Sequence, residues 1–516
     1  MRFRQALTGA ALAAVALLPA FAFAQGAAPA FAGTADSTRL VPPVASSAAS
    51  ANTASANTAS ANTASANTAS ATPGVADSPL IAAGRYLATA ADCAACHTAQ
   101  GGKPFAGGYP INSPMGTIYS TNITPSKQGG IGDYTEAEFA RALRQGVRRD
   151  GQHLYPAMPY TSYAALTDND VHALYTYFHD AVAPVDAAAP QTSLPFPFSV
   201  RASMSLWNAL FLDSAPFRPD PHVSPLINRG AYLAGALEHC AACHTPRNAL
   251  MGQNDARAFA GGSLGSWYAP NISSDPVSGI GGWTDAELTQ YLKTGFVPGK
   301  AQAAGPMAEA IDHSLQHLND GDIAALVAYL KQTPPMHDGE SATRYTYGQP
   351  LNEAALRGND AKPPRGWQVF SGSCAACHQA NGGGLSNHDY PSLYHNTATG
   401  AANADNLISV ILFGLQRDAH GKPAFMPAFG PGASFTDRLS DQDVADVANF
   451  VLHQYGNPAV TVSVADVATI RQGGKPPLIA QAAHYAIPGL VVLLVVIVLL
   501  VLALSRRKAS RKRVRA

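Results

Sequence analysis

Five residues recur three times in this chain: Cys-Ala-Ala-Cys-His spans 93–97, 240–244 and 374–378. Two thiols separated by two residues lie about one helical turn apart, and an imidazole follows at once. That spacing is the attachment signature of a c-type haem, with both sulfurs reaching one edge of the porphyrin and the histidine pointing at the iron. The three motifs use all six cysteines of the 516-residue chain. A zinc site would need a fourth ligand, and no second cysteine pair stands near any motif. A thioredoxin-like redox pair would need a strand–helix–strand setting, which the sequence lacks. The expected covalent haem anchors are therefore Cys93, Cys96, Cys240, Cys243, Cys374 and Cys377, with His97, His244 and His378 as proximal iron ligands.

A sixth ligand must come from elsewhere. Among eight methionines, Met158 lies 61 residues after His97, Met307 lies 63 after His244, and Met426 lies 48 after His378. Each precedes a closing helix and has a proline beside it that would stiffen its loop. A thioether in this position favours ferrous iron and raises the reduction potential. Met307 lacks a following proline, and His313 and His317 compete with it. Three such methionines also argue against a peroxidase, which needs an open iron position.

The elements around these residues repeat as well. Each repeat opens with a glycine among aromatic residues: Gly84-Arg-Tyr86, Gly230-Ala-Tyr232 and Gly366-Trp367 through Phe370. Each closes with a capped helix whose apolar residues fall at i, i+3, i+4 and i+7. These are Val171, Leu174, Tyr175 and Phe178, then Ile323, Leu326, Val327 and Leu330, then Val444, Val447, Ala448 and Val451. Thr135 and Thr284 start a further helix in the first two repeats. No sustained period-2 alternation appears, and proline-rich stretches at 184–225 and 333–364 separate the repeats. Asn122-Ile-Thr and Asn271-Ile-Ser match a glycosylation sequon but are read as hydrogen-bonding positions near the haem edge.

The chain holds 34 Lys+Arg against 34 Asp+Glu. Setting aside two arginines in residues 1–24 and seven basic residues in 505–516 leaves 25 bases against 34 acids, a body too acidic for a nucleic-acid binder. The first 24 residues read as a signal peptide: Arg2 and Arg4, a short apolar run, then Ala22-Phe-Ala24. Residues 25–77, with four Ala-Asn-Thr-Ala-Ser units, read as a disordered tether. Residues 486–504 carry no charge and would span roughly 28 Å as a helix, about a hydrocarbon core. The basic tail 505–516 then reads as cytoplasmic, which places the body outside the inner membrane.

Beyond the three motifs, the segments 116–125, Leu154-Tyr-Pro-Ala-Met-Pro-Tyr160, 267–273, Gly305-Pro-Met-Ala308 and 391–398 resemble the tri-haem cytochrome c subunits of bacterial membrane-bound periplasmic dehydrogenases. The likeness covers residues 78–504. It implies a mainly α fold: three tandem class I cytochrome c domains at 78–186, 220–336 and 358–457, then one C-terminal transmembrane helix. It also implies a subunit that oxidises no substrate itself. Electrons would pass from a catalytic partner (a quinoprotein, flavoprotein or molybdoprotein, with a possible small third subunit) through three haems to ubiquinone. The alternative is a cytochrome subunit of a terminal oxidase, or a free-standing tri-haem shuttle.

Overall fold

A computed structural model describes residues 78–352, 363–386 and 390–513. The expected signal peptide and tether lie outside the described residues. Each repeat is built on two crossing helices. The opening helices are Pro79–Ala90, Pro225–Tyr232 and Arg365–Ser373. The first two are capped by Ser78 and Ser224, each followed by proline in the first turn, where its missing N–H costs nothing. The closing helices are Asp168–Thr176, Asp320–Leu330 and Asp441–Tyr455. Thr167, Asn319 and Ser440 cap them, accepting from the backbone N–H of Asp170, Asp322 and Asp443 at 3.2, 2.9 and 3.1 Å.

The glycine that opens each repeat sits at the crossing. A Cβ on Gly84 would strike the carbonyl oxygen of Ala173; on Gly230, that of Ala325; on Gly366, that of Asp446. The two helices approach closely enough that no side chain fits between them. The expected apolar face of each closing helix is buried, Tyr175 partly so. In the first repeat a π turn, Tyr177–Ala181, carries the face on to Phe178.

Among the described residues, four two-stranded antiparallel hairpins interrupt the helices, although the sequence shows no sustained period-2 alternation. They pair Pro110–Ser113 with Gly116–Tyr119, Gly262–Leu264 with Trp267–Ala269, Phe296–Val297 with Ala301–Gln302, and Leu415–Ala419 with Lys422–Met426. Strands of two to five residues are too short to leave a legible alternation.

The first two repeats share a core, and the second adds a cluster of its own around Phe259, Trp283 and Leu288. One buried cluster runs from Ile81 and Leu87 through Phe178 to Leu233, Ile311 and Leu326. The pairing is reciprocal. Tyr86 of the first opening helix donates to Asp322 of the second closing helix at 2.6 Å, and Tyr232 of the second opening helix donates to Asp170 of the first closing helix. The acids three residues after the caps are therefore spent on the neighbouring repeat as well as on their own helix. The third repeat has its own core around Phe370, Leu412, Val444 and Tyr455. It is stitched to the second: the Asn406 side chain bonds both backbone groups of Tyr268 at 2.8–2.9 Å, and Thr397 Oγ1 donates to the Lys300 carbonyl at 2.8 Å.

A helix over Ala486–Arg513 ends the described chain, with apolar side chains exposed along 491–502. Its residues 487, 490 and those beyond 502 have side chains outside the described set. Among the described residues, no helix is long and apolar enough to cross a membrane.

Candidate functional site

The cysteine motifs form single helical turns, Cys93–His97, Cys240–His244 and, one residue shorter, Ala375–His378. Asp92 and His239 enter the first two turns with left-handed backbones, φ 51° and 38°, which swing the turn away from the opening helix. Burial pushes Cys93, Cys96 and Cys374 up to about 12, and Cys240 higher still. A catalytic or redox-exchanging cysteine needs the opposite shift. These thiols are built to carry something apolar rather than to react repeatedly.

The histidines are held alike in all three motifs. Nδ1 of His97 lies 2.6 Å from the Thr121 carbonyl oxygen, that of His244 lies 2.7 Å from Pro270 and that of His378 lies 3.0 Å from Pro391. A carbonyl can only accept, so Nδ1 carries the proton and Nε2 keeps its lone pair. Burial lowers the pKa of each ring, of His244 to about 4, so the imidazoles stay neutral. A neutral ring with Nε2 available is what an iron ligand requires.

Two of these carbonyls are followed by the asparagines that the sequence marks as hydrogen-bonding positions. Asn122, at 3 % exposure, accepts from Thr124 N–H and Oγ1 and donates to the carbonyls of Val185 and Ala187. Asn271, at 1 %, accepts from Ser273 N–H and Oγ and donates to Met336 and Asp338. Each asparagine directly follows the carbonyl that orients its histidine. Their burial rules out the glycosylation reading. They pin the loop that aims the imidazole.

Met158 packs in the same cluster as Cys93, Met307 in the same cluster as Cys240, and Met426 in the same cluster as Cys374. Met158 lies in a proline-flanked loop as expected, whereas the other two do not. Met158 sits in a tight turn, its carbonyl accepting from Tyr160 N–H at 2.8 Å. Met307 is in the first turn of the helix Pro306–His313, and Met426 ends a strand, opposite Leu415. His313 ends the Met307 helix six residues on, about 240° around it, and so on another face. His317 Nε2 lies 3.0 Å from the Asp312 carbonyl oxygen.

Among the described residues, no group of three or more His, Cys, Asp or Glu side chains could hold a metal ion by itself. The donor set in each repeat is instead two half-buried cysteine thiols, one neutral imidazole and apolar walls, which fits a haem. The first two sites are close neighbours: Cys243 helps to push the Cys96 thiol up, and Tyr163 meets His239 edge-on at 5.7 Å.

Comparison with known proteins agrees with this chemistry. The cytochrome c family matches residues 81–181, 227–334 and 364–454, one stretch around each motif. The fructose dehydrogenase cytochrome subunit of Gluconobacter japonicus is 48 % identical over 434 residues, covering 82 % of this chain and 88 % of that protein. The gluconate 2-dehydrogenase cytochrome c subunit of Pantoea cypripedii is 41 % identical over 410 residues, covering 77 % and 90 %. The cytochrome c subunit of alcohol dehydrogenase (quinone) from Gluconacetobacter polyoxogenes is 40 % identical over 415 residues, covering 78 % and 86 %. The chain belongs to the cytochrome c family, and its three Cys-Ala-Ala-Cys-His motifs carry three covalently bound c-type haems.

Proposed function

We propose that this chain is the electron-transfer subunit of a membrane-bound periplasmic dehydrogenase complex. It takes electrons from a separate catalytic subunit through three haems and delivers them to ubiquinone. The observation that carries this reading is the likeness, over about four-fifths of the chain, to cytochrome subunits of fructose, gluconate and alcohol dehydrogenases. The last of these is named for its quinone acceptor.

Bound haem supplies one ferric–ferrous couple per site. The protein does the rest. Carbonyls of Thr121, Pro270 and Pro391 fix the proximal imidazoles, and Met158, Met307 and Met426 are the proposed sixth ligands, thioethers suited to a carrier that must accept electrons readily. The shared core of the first two repeats and the stitched second–third contact keep the sites at fixed separations, so transfer needs no domain motion. A cleft of about 480 Å³ between Pro298–Lys300 and Tyr394–Asn396 opens beside the turn that holds His378. The uncharged run 486–504, helical and exposed along 491–502, is the proposed membrane anchor, with the tail after it on the cytoplasmic side.

Purification of the intact chain from detergent-solubilised membranes tests the reading. A large catalytic dehydrogenase chain should co-purify, and its substrate should reduce all three haems. Recovery with a copper–haem oxidase, or of the chain alone, would overturn it in favour of an oxidase subunit or a free shuttle.

A further inference from the structure

Two arginines are buried beside the second haem site with no carboxylate in ion-pair contact among the described residues. Arg344, at 9 % exposure, comes from the segment joining the second and third repeats; Arg417, at 4 %, comes from the third repeat itself. Arg344 donates to the carbonyls of Ser278 and Asn271, one residue from the Pro270 carbonyl that orients His244. Arg417 donates to the carbonyl of Ala303 at 2.8 Å, four residues before Met307. One guanidinium thus flanks the proximal loop of this site and the other its distal loop. Both act electrostatically on Tyr291, which packs with Cys240, Met307 and Trp283.

Each guanidinium leaves its Nε–H buried and unpartnered, and the indole Nε1–H of Trp283 is left in the same condition. Among the described residues, neither arginine forms an ion pair. Glu340 and Asp338 act on Arg344, and Asp312 on Arg417, only from beyond ion-pair contact. A buried cation without an ion-pair partner costs several kcal/mol, so each guanidinium is a site for a closer anion. A haem carries two carboxylates on the edge opposite its thioether bonds, one for each guanidinium.

We propose that Arg344 and Arg417, with Trp283 Nε1, clamp the two propionates of the haem borne by Cys240, Cys243 and His244. The third repeat thereby reaches into the second and sets that haem's potential. This rests on the assignment of a haem to each motif and not on the identity of the dehydrogenase partner. The arrangement is specific to this site. In the first repeat, aligned through Thr135 and Thr284, Ala142 stands where Tyr291 stands here, and Tyr134 where Trp283 does. A fixed positive charge near the haem edge favours the reduced state, so removing it lowers the midpoint.

The test uses the full chain, loaded with haem, carrying Arg344→Gln, Arg417→Gln or Arg417→Lys. Haem content is read by pyridine haemochrome, midpoints by redox titration, and propionate hydrogen bonding by the propionate-bending bands in resonance Raman. Both glutamine variants should keep three haems and lower the same single midpoint, the one that Met307→Ala also moves, with a shift in the propionate bands. Arg417→Lys should hold the midpoint near wild type. Unchanged midpoints and Raman bands in both glutamine variants would overturn the proposal, as would a shift confined to a different haem. If Arg417→Gln fails to accumulate, Arg344→Gln against Arg417→Lys decides the same question.

Discussion

Replacing Asn271 by alanine should damage the second haem site more than its distance from the iron suggests. The side chain makes four hydrogen bonds: Oδ1 accepts from Ser273 N–H at 2.9 Å and Oγ at 2.7 Å, and Nδ2 donates to Met336 O at 2.5 Å and Asp338 Oδ2 at 2.9 Å. Ser273 is fully buried. Truncation strands the Ser273 amide, its hydroxyl proton and the Met336 carbonyl. Each buried unsatisfied group costs about 1–3 kcal/mol, so the floor is about 3 kcal/mol. For a cooperative unit the size of the paired first and second repeats, that is a fall of roughly 6–12 °C in Tm. Thermal unfolding followed by Soret circular dichroism on the three-haem protein measures it. The substitution also loosens the turn that presents the Pro270 carbonyl to His244 Nδ1. A weaker bond there makes the imidazole a poorer electron donor, so the midpoint of this haem should rise. A stability change below about 0.5 kcal/mol, the range of ordinary surface substitutions, would refute the claim that Asn271 locks the loop.

Met307→Ala should leave three haems attached but lower one midpoint, and a titration that overlays wild type would remove Met307 from the ligand set. Glu238 is buried, which raises its pKa to about 8 against the opposing bond from Ser314, while the unfolded chain ionises it near 4.5. The unfolded state gives up that proton first, so wild-type stability should fall as pH rises from about 4.5 to about 8; Glu238→Gln should match wild type at pH 4 and exceed it at pH 8 in thermal melts. Gly230→Ala would force a methyl against the Ala325 carbonyl, and chemical denaturation should show a loss of about 1–3 kcal/mol. A chain ending at Gln481 should keep three haems yet leave the membrane fraction when expressed without partners; its retention there would show that the haem repeats bind membrane themselves.

The motifs and caps were legible in the sequence because each is local. Cys-x-x-Cys-His fits within one helical turn, and a cap needs four residues, so no knowledge of the fold is required to read either. The glycines at 84, 230 and 366 announced themselves by recurrence, but their reason, a helix crossing against residues some 80–95 positions away, is tertiary. The hairpin at 415–426 was illegible for a different cause. Its first strand buries Leu415, Arg417 and Ala419 and exposes Gln416 and Asp418, a regular alternation except that an arginine occupies an inward position. A charged residue there breaks the apolar pattern that betrays a strand, and such breaks are expected where a site overrides the local rule. Asn122 and Asn271 could be read as hydrogen-bonding positions, but which carbonyls they bond is tertiary and is not written in three residues.

The packing makes the second repeat the hub of the chain. Toward the first repeat it presents its thioether side: Cys243 acts on Cys96, and Tyr163 of the first repeat donates to the Ala91 carbonyl while meeting His239. Toward the third it presents its distal side, where Ala308, beside Met307, packs in one cluster with Met426, Leu415 and Ala424. The order along the chain is therefore also the order of contact, first to second and second to third. The two contacts also differ in kind. The first joins two repeats across one reciprocal core. The second brings in Arg417 from the third repeat, so a charge owned by one site bears on the potential of its neighbour. Direction along three similar haems needs some such asymmetry, and in this chain it lies between the second site and the third.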